Sequence, residues 1–216
     1  MTSKFFAIIA GVGAGTGRSV ALRFAQTYPV VLLARNPQSY TDIVSEITSS
    51  GGQALGISAD TSDADSLASA FKTIKDQFKD KQLAAAIYNV GAGFAVKPFL
   101  DLTPADLESS LSSNARATAS VRGSPRFATF AAGKFAARAL TQSLAREFGP
   151  QGVHVAHVIV DGVIDIPGTK QWEANGGVED GKLSADAIAE SYWHLHTQHR
   201  SAFTQELDLR PYVEKF

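Results

Sequence analysis

The sequence predicts an α/β domain: a doubly wound parallel sheet with helices on both faces. Three observations predict it. The apolar run Phe5–Ala10 enters a loop with glycine at 11, 13, 15 and 17, and a helical pattern beginning at Arg18 leaves that loop. Short uninterrupted apolar runs then alternate with segments of helical period, as expected of strands buried on both faces and joined by crossover helices. The chain has 216 residues, 44% hydrophobic and 19% charged, enough for one such domain over 1–216 and too short for two.

Composition narrows the function. The formal net charge is −1 with no basic or acidic block, which points away from nucleic acid and anionic membranes. There are no cysteines, so neither a disulfide framework nor a thiolate metal site is available, and a cytoplasmic setting is expected. No apolar stretch has the length of a membrane span, and the N-terminus lacks the pattern of a signal peptide.

The first strand, Phe5–Ala10, feeds the glycine loop. Glycine permits a sharp turn and a close approach of diphosphate to backbone N–H groups, and the following helix adds the positive end of its dipole. A tight turn that binds nothing is the alternative. The strand before the loop and the helix after it favour dinucleotide binding. Gly11, Gly15 and Gly17 spell G-x-x-x-G-x-G, with Gly13 inside the loop. This spacing resembles the short-chain dehydrogenase/reductase family, and the resemblance implies a Rossmann-type fold.

The second strand, Val30–Ala34, ends at Arg35, eighteen residues after Gly17. In a dinucleotide fold an arginine near this position suits a ribose 2′-phosphate, whereas an acidic residue suits the 2′-hydroxyl. NADP(H) is therefore expected over NAD(H), with Arg18 as a second contact; a solvated turn is the other reading of Arg35. A helix over 38–50 follows, closed by Gly51-Gly52. The third strand, 54–59, ends at Asp60, where the family resemblance implies an adenine contact. The next helix carries Leu67, Phe71, Ile74 and Phe78 as an apolar stripe.

A fourth strand, 83–88, runs into Asn89-Val90-Gly91, which resembles the family's N-N-A-G element, with Tyr88 in place of the first asparagine. In that family the asparagine stabilises the central sheet beside the cofactor, so the resemblance implies a place beside the cofactor for Asn89 and Gly91, with the role of Asn89 more structural than chemical. Thr103-Pro104-Ala105-Asp106 starts a helix with a hydroxyl cap, proline in the first turn and a carboxylate. That helix reaches Asn114, which matches the family's active-site asparagine.

Here the resemblance is interrupted. Phe130-Ala131-Ala132-Gly133-Lys134 stands in the position of the Y-x-x-x-K motif, so lysine is kept and tyrosine is phenylalanine; Ala117 stands where the family has its catalytic serine. Only sixteen positions separate Asn114 from Phe130. A parallel crossover alone needs a dozen or more. Several tens of residues, including the central fifth strand, are therefore expected to be missing or shortened. An alternative transcript, a faulty gene model and a genuine deletion are all consistent with that.

Strand 153–160 leads to Asp161-Gly162-Val163-Ile164, which resembles the family's P-G-x-I-x-T segment over the nicotinamide: Gly162 and Ile164 match, Asp161 replaces proline and Ile166 replaces threonine. Residues 168–182 read as a flexible substrate loop, 185–194 as a last helix and 204–211 as a final strand. His194, His196 and His199 have the wrong spacing for a helix-borne metal site, and no metal is expected. The resemblance implies hydride transfer between NADP(H) and a small carbonyl or alcohol substrate. Lys134 would bind ribose and Asn114 would hold a relay water. Phenylalanine has no proton to give, so catalysis is expected to be impaired; Tyr88 and Ser120 are substitutes to test. A non-catalytic nucleotide-binding homologue is the rival. The resemblance also implies a homo-oligomer, weakened by the shortened helix before Asn114.

Overall fold

A computed structural model of the chain describes residues 3–91, 96–108 and 125–215. Their Cα atoms gather into two compact units, one of 1–89, 164–172 and 184–193, the other of 90–163, 173–183 and 194–216.

The first unit alternates strand and helix: β1 Phe5–Ala10, α1 Thr16–Ala25, β2 Val30–Ala34, α2 Thr41–Ser49, β3 Ala54–Ser58, α3 Ala64–Gln77 and β4 Gln82–Tyr88. The strands form one parallel sheet in the order β3-β2-β1-β4. β1 sits between β2 and β4, so the chain reverses its direction of travel across the sheet at β1. Right-handed crossovers then place α1 and α2 on one face and α3 on the other. β1 and β2 are the best buried strands because both of their faces are covered, and Ile9, Val30, Val31 and Leu32 have no exposed surface. From 184–193 the same unit gains Ile188, Ala189 and Tyr192, all buried, and Trp193, whose indole meets Phe24 edge-on at 5.1 Å.

The second unit contains a helical turn at 104–108, α4 Ala128–Phe148, β5 His157–Val160 and β8 Glu206–Leu209. Thr103 caps the helical turn as its sequence predicts: its hydroxyl accepts from the Asp106 N–H at 3.2 Å, and the Asp106 carboxylate accepts from the Thr103 N–H at 2.9 Å. β5 and β8 pair in parallel, with His157 opposite Glu206. The Arg138 fork donates to Glu206 at 2.6 and 2.7 Å and ties α4 to that pair. Two short strands, β6 Ile164–Asp165 and β7 Leu183–Ser184, and helix α5 Ala185–Thr197 complete the elements.

Several sequence expectations shift. The helix expected over 38–50 is a 3₁₀ turn, Pro37–Ser39, followed by α2. On α3 the buried residues are Ala70 and Ile74, while Phe71 is half exposed. At about 100° per residue, Ala70 and Phe71 fall on opposite flanks of the Leu67–Ile74 line, and the helix turns the Ala70 flank inward. The strand expected from 153 begins only at His157. Val153 is drawn back onto the end of α4 by an N–H bond to the Phe148 carbonyl at 3.2 Å, and His154 directs its ring nitrogens at the Leu195 and Thr204 carbonyls. The loop expected to be flexible over 168–182 is pinned at Asn175, whose amide donates to the Gly181 carbonyl at 2.9 Å and to Glu214 at 3.0 Å.

Asn114, Ala117 and Ser120, and with them the expected gap in the chain, lie outside the described residues. Among the described residues β4 pairs with β1 alone and β5 with β8 alone.

Candidate cofactor and active site

At the carboxyl end of β1 the chain turns at Gly11, whose φ of +87° is a left-handed conformation that a side chain resists. Gly11 and Val12 both donate their N–H to the Leu33 carbonyl, at 2.9 and 3.2 Å, and this fastens the start of the loop to β2. Asn89, at the exit of β4, donates its backbone N–H to Ala10 at 2.8 Å and its side-chain amide to the Gly11 carbonyl at 3.2 Å. The loop is thus held from both neighbouring strands.

The glycines have distinct roles. A Cβ at Gly17 would meet the Gly11 carbonyl oxygen at 2.5 Å, so helix and strand approach closely only with glycine there. A Cβ at Gly15 would meet Ile166 at 2.9 Å. The side of Gly13 is open, with no atom of the described residues within 4 Å of a Cβ placed there. α1 starts directly after Gly15 with no side-chain cap among the described residues, so its first amides are offered to an anion in the manner of a phosphate loop. A close-packed turn with one open glycine flank fits a dinucleotide diphosphate.

Arg35 is exposed beyond β2, and its charge reaches Asp60 beyond β3. The Asp60 carboxyl is held below the ordinary range, first by the Ser62 hydroxyl, then by the Ser62 N–H, and also by Arg35. Arg18 is engaged otherwise: its guanidinium grips the Glu46 carboxylate of α2 through two bonds, the Nε one at 3.0 Å. Of the two arginines expected near the ribose, Arg35 lies at the strand end and Arg18 ties α1 to α2. Ile164, in the short β6, accepts the Thr169 hydroxyl through its carbonyl.

The second unit holds the lysine and its surroundings. Phe130 and Lys134 are one turn apart on α4, and the Lys134 ammonium lies 5.1 Å from the Phe130 ring centroid. Lys134 is 7% exposed, and burial brings its ammonium down to about 8. His157 on β5 is fully buried, and neither ring nitrogen has a hydrogen-bond partner among the described residues. Burial lowers its tendency to charge, opposed by Glu206 and reinforced by Arg138 and Lys134. At the end of β5, Asp161 pairs with Arg210 at 3.2 Å, and Arg210 also holds Asp208 at 2.7 Å. A Cβ at Gly162 would strike Pro211 at 2.7 Å, which accounts for glycine there by packing. Gly91 has no described atom within 4 Å of a Cβ.

A family model described as short chain dehydrogenase matches residues 6–123, more than half of the chain. The chain belongs to the short-chain dehydrogenase family. A short-chain dehydrogenase/reductase of Armillaria gallica is 27% identical over 209 aligned positions, covering 83% of this chain and 78% of that protein. Among solved structures, a short-chain dehydrogenase of Rhodopseudomonas palustris is 28% identical and superposes with a TM-score of 0.79 over 97% of this chain and 100% of that one. A Burkholderia cenocepacia short chain dehydrogenase solved in complex with NADP is 22% identical with a TM-score of 0.83 over 98% of both chains, a likeness of fold. These matches establish the Rossmann-like parallel sheet read from the sequence.

The sequence did not disclose the Arg18–Glu46 pair, the contact of Ile166 with Gly15, or a hydrogen bond between Thr61 and Tyr88 at 3.2 Å. The 166 position does carry a signal, threonine replaced by isoleucine. No cluster of three metal-ligating side chains occurs among the described residues, and no helix among them is long and apolar enough to cross a membrane.

Proposed function

We propose that this chain is an NADP(H)-binding member of its family, of the type that reduces small carbonyls or oxidises alcohols in the cytosol, with proton transfer impaired. The observation that carries this reading is the glycine turn, open at Gly13 and held by Asn89, with Arg35 at the next strand end. Two solved neighbours, the Burkholderia enzyme and a metagenomic oxidoreductase, are complexes with NADP, which supports the phosphorylated coenzyme.

The bound coenzyme supplies a hydride. The amides at the start of α1 would hold its diphosphate, Arg35 the 2′-phosphate and Lys134 the nicotinamide ribose. Asn114 would position a water. The missing part is the acid that protonates the carbonyl oxygen, since Phe130 fills the tyrosine position. A placed general acid contributes about 10²- to 10⁴-fold.

That aromatic ring beneath the Lys134 ammonium favours one rival, a nucleotide-binding homologue without turnover. NADPH fluorescence titration beside an oxidation assay over a panel of small carbonyls separates the two. Binding with slow turnover, raised about a hundredfold by Phe130→Tyr, supports the enzyme. Binding with no turnover in either protein supports the rival, and a folded sample that binds neither NADPH nor NADH overturns both.

A further inference from the structure

β3 and β4 are the two outer strands of the sheet, with β2 and β1 between them. At about 4.8 Å per strand their ends stand about 14 Å apart. Yet the hydroxyls of Thr61, beyond β3, and Tyr88, the last residue of β4, are 3.2 Å apart. The Tyr88 side chain and the turn after β3 must therefore together span the carboxyl ends of β2 and β1. Its shape is fixed locally. The Asp60 carboxylate accepts from the Ser62 N–H at 2.9 Å and from the Ser62 hydroxyl at 2.6 Å, while the Asp60 N–H donates to the Ser66 hydroxyl at 3.0 Å.

That place has a meaning in an open parallel sheet. Ligands lie in the crevice beyond the carboxyl ends of the strands, where the strand order reverses. Here the reversal is at β1, between the two residues that the bridge connects. Arg35 stands at the end of β2, close enough for its charge to act on Asp60. An aromatic ring spanning such a crevice offers a flat apolar face to a flat apolar ligand, and a hydroxyl partner at its tip fixes its tilt.

We propose that Tyr88 forms the wall of the coenzyme's adenine slot, with its ring against the purine, and that Thr61 is the positioning residue that holds the ring there. The inference rests on the coenzyme reading above. It assigns the Tyr88 phenol to recognition and removes it as a substitute for the missing acid.

Calorimetric titration with 2′,5′-ADP, the adenine half of the coenzyme, tests it on the full chain. Tyr88→Ala weakens binding at least tenfold, and Tyr88→Phe and Thr61→Val each weaken it about threefold. Because the two hydroxyls form one bridge, Tyr88→Phe and Thr61→Val combined in one chain cost no more than either alone. A merely structural role would instead lower the melting temperature of the ligand-free variants and leave 2′,5′-ADP affinity unchanged at temperatures where they are folded. That result, or additive losses in the double variant, overturns the proposal while tight wild-type binding keeps the coenzyme reading intact. Failure of the folded wild type to bind either 2′,5′-ADP or NADPH overturns both.

Discussion

Burial brings the Lys134 ammonium from its ordinary value of 10.5 down to about 8, so its charge opposes folding at neutral pH. Between about 8 and 10.5 the unfolded chain binds more protons than the folded one, and stability rises with pH across that window. Below it both states are protonated, and the folded state bears the whole desolvation cost, up to about 3 kcal/mol. The Phe130 ring face, 5.1 Å away, returns part of this. Lys134→Met is therefore expected to raise Tm by several degrees at pH 7, to lose that advantage by about pH 10.5, and, on the proposed ribose contact, to weaken NADPH binding. Melting curves across pH check the first two, and a Tm that falls at pH 7 contradicts the argument. At this scale the glycine turn and Asn89 beside it were legible because each lies within a short local pattern. The Arg18–Glu46 and Thr61–Tyr88 contacts were not, since their partners are 28 and 27 residues apart and meet only through the sheet order.

Among the elements, β4 departs most from its sequence. Its uncharged run Gln82–Tyr88 resembles a central strand, yet Leu83 is half exposed and β1 is its only partner among the described residues. An apolar strand with one ladder edge unpaired among the described residues offers a template for another chain, and neither a charge nor a proline within it blunts the edge. Leu83→Lys is expected to reduce concentration-dependent light scattering on warming while shifting Tm by less than about 2 °C, because little buried surface is lost. A large drop in Tm would show that Leu83 is packed in solution. The existence of β1 to β4 was readable from apolar runs separated by segments of helical period, whereas their order in the sheet depends on contacts between distant segments. The late start of β5 was not, because the His154 ring bonds to the Leu195 and Thr204 carbonyls, and the sequence does not reveal such partners.

At the scale of the whole chain, the match to the Armillaria relative spans 209 aligned positions but draws on only 83% of 216 residues, so that relative carries residues with no counterpart here. A segment absent between Asn114 and Phe130, with the central strand expected there from the sequence, would account for such residues. Each buried ladder group left unpaired costs about 1 to 3 kcal/mol against a net stability of about 5 to 15 kcal/mol. For a chain of this length 1 kcal/mol shifts Tm by about 2 to 4 °C, so a few such groups lower it by on the order of 10 °C. Scanning calorimetry is therefore expected to show a broad transition with a calorimetric enthalpy above the van't Hoff value, at a Tm well below that of the Armillaria protein. A single sharp transition at the relative's Tm would mean that the strands close into one cooperative sheet without the missing member, and the account of impaired folding would fall while the coenzyme site remained.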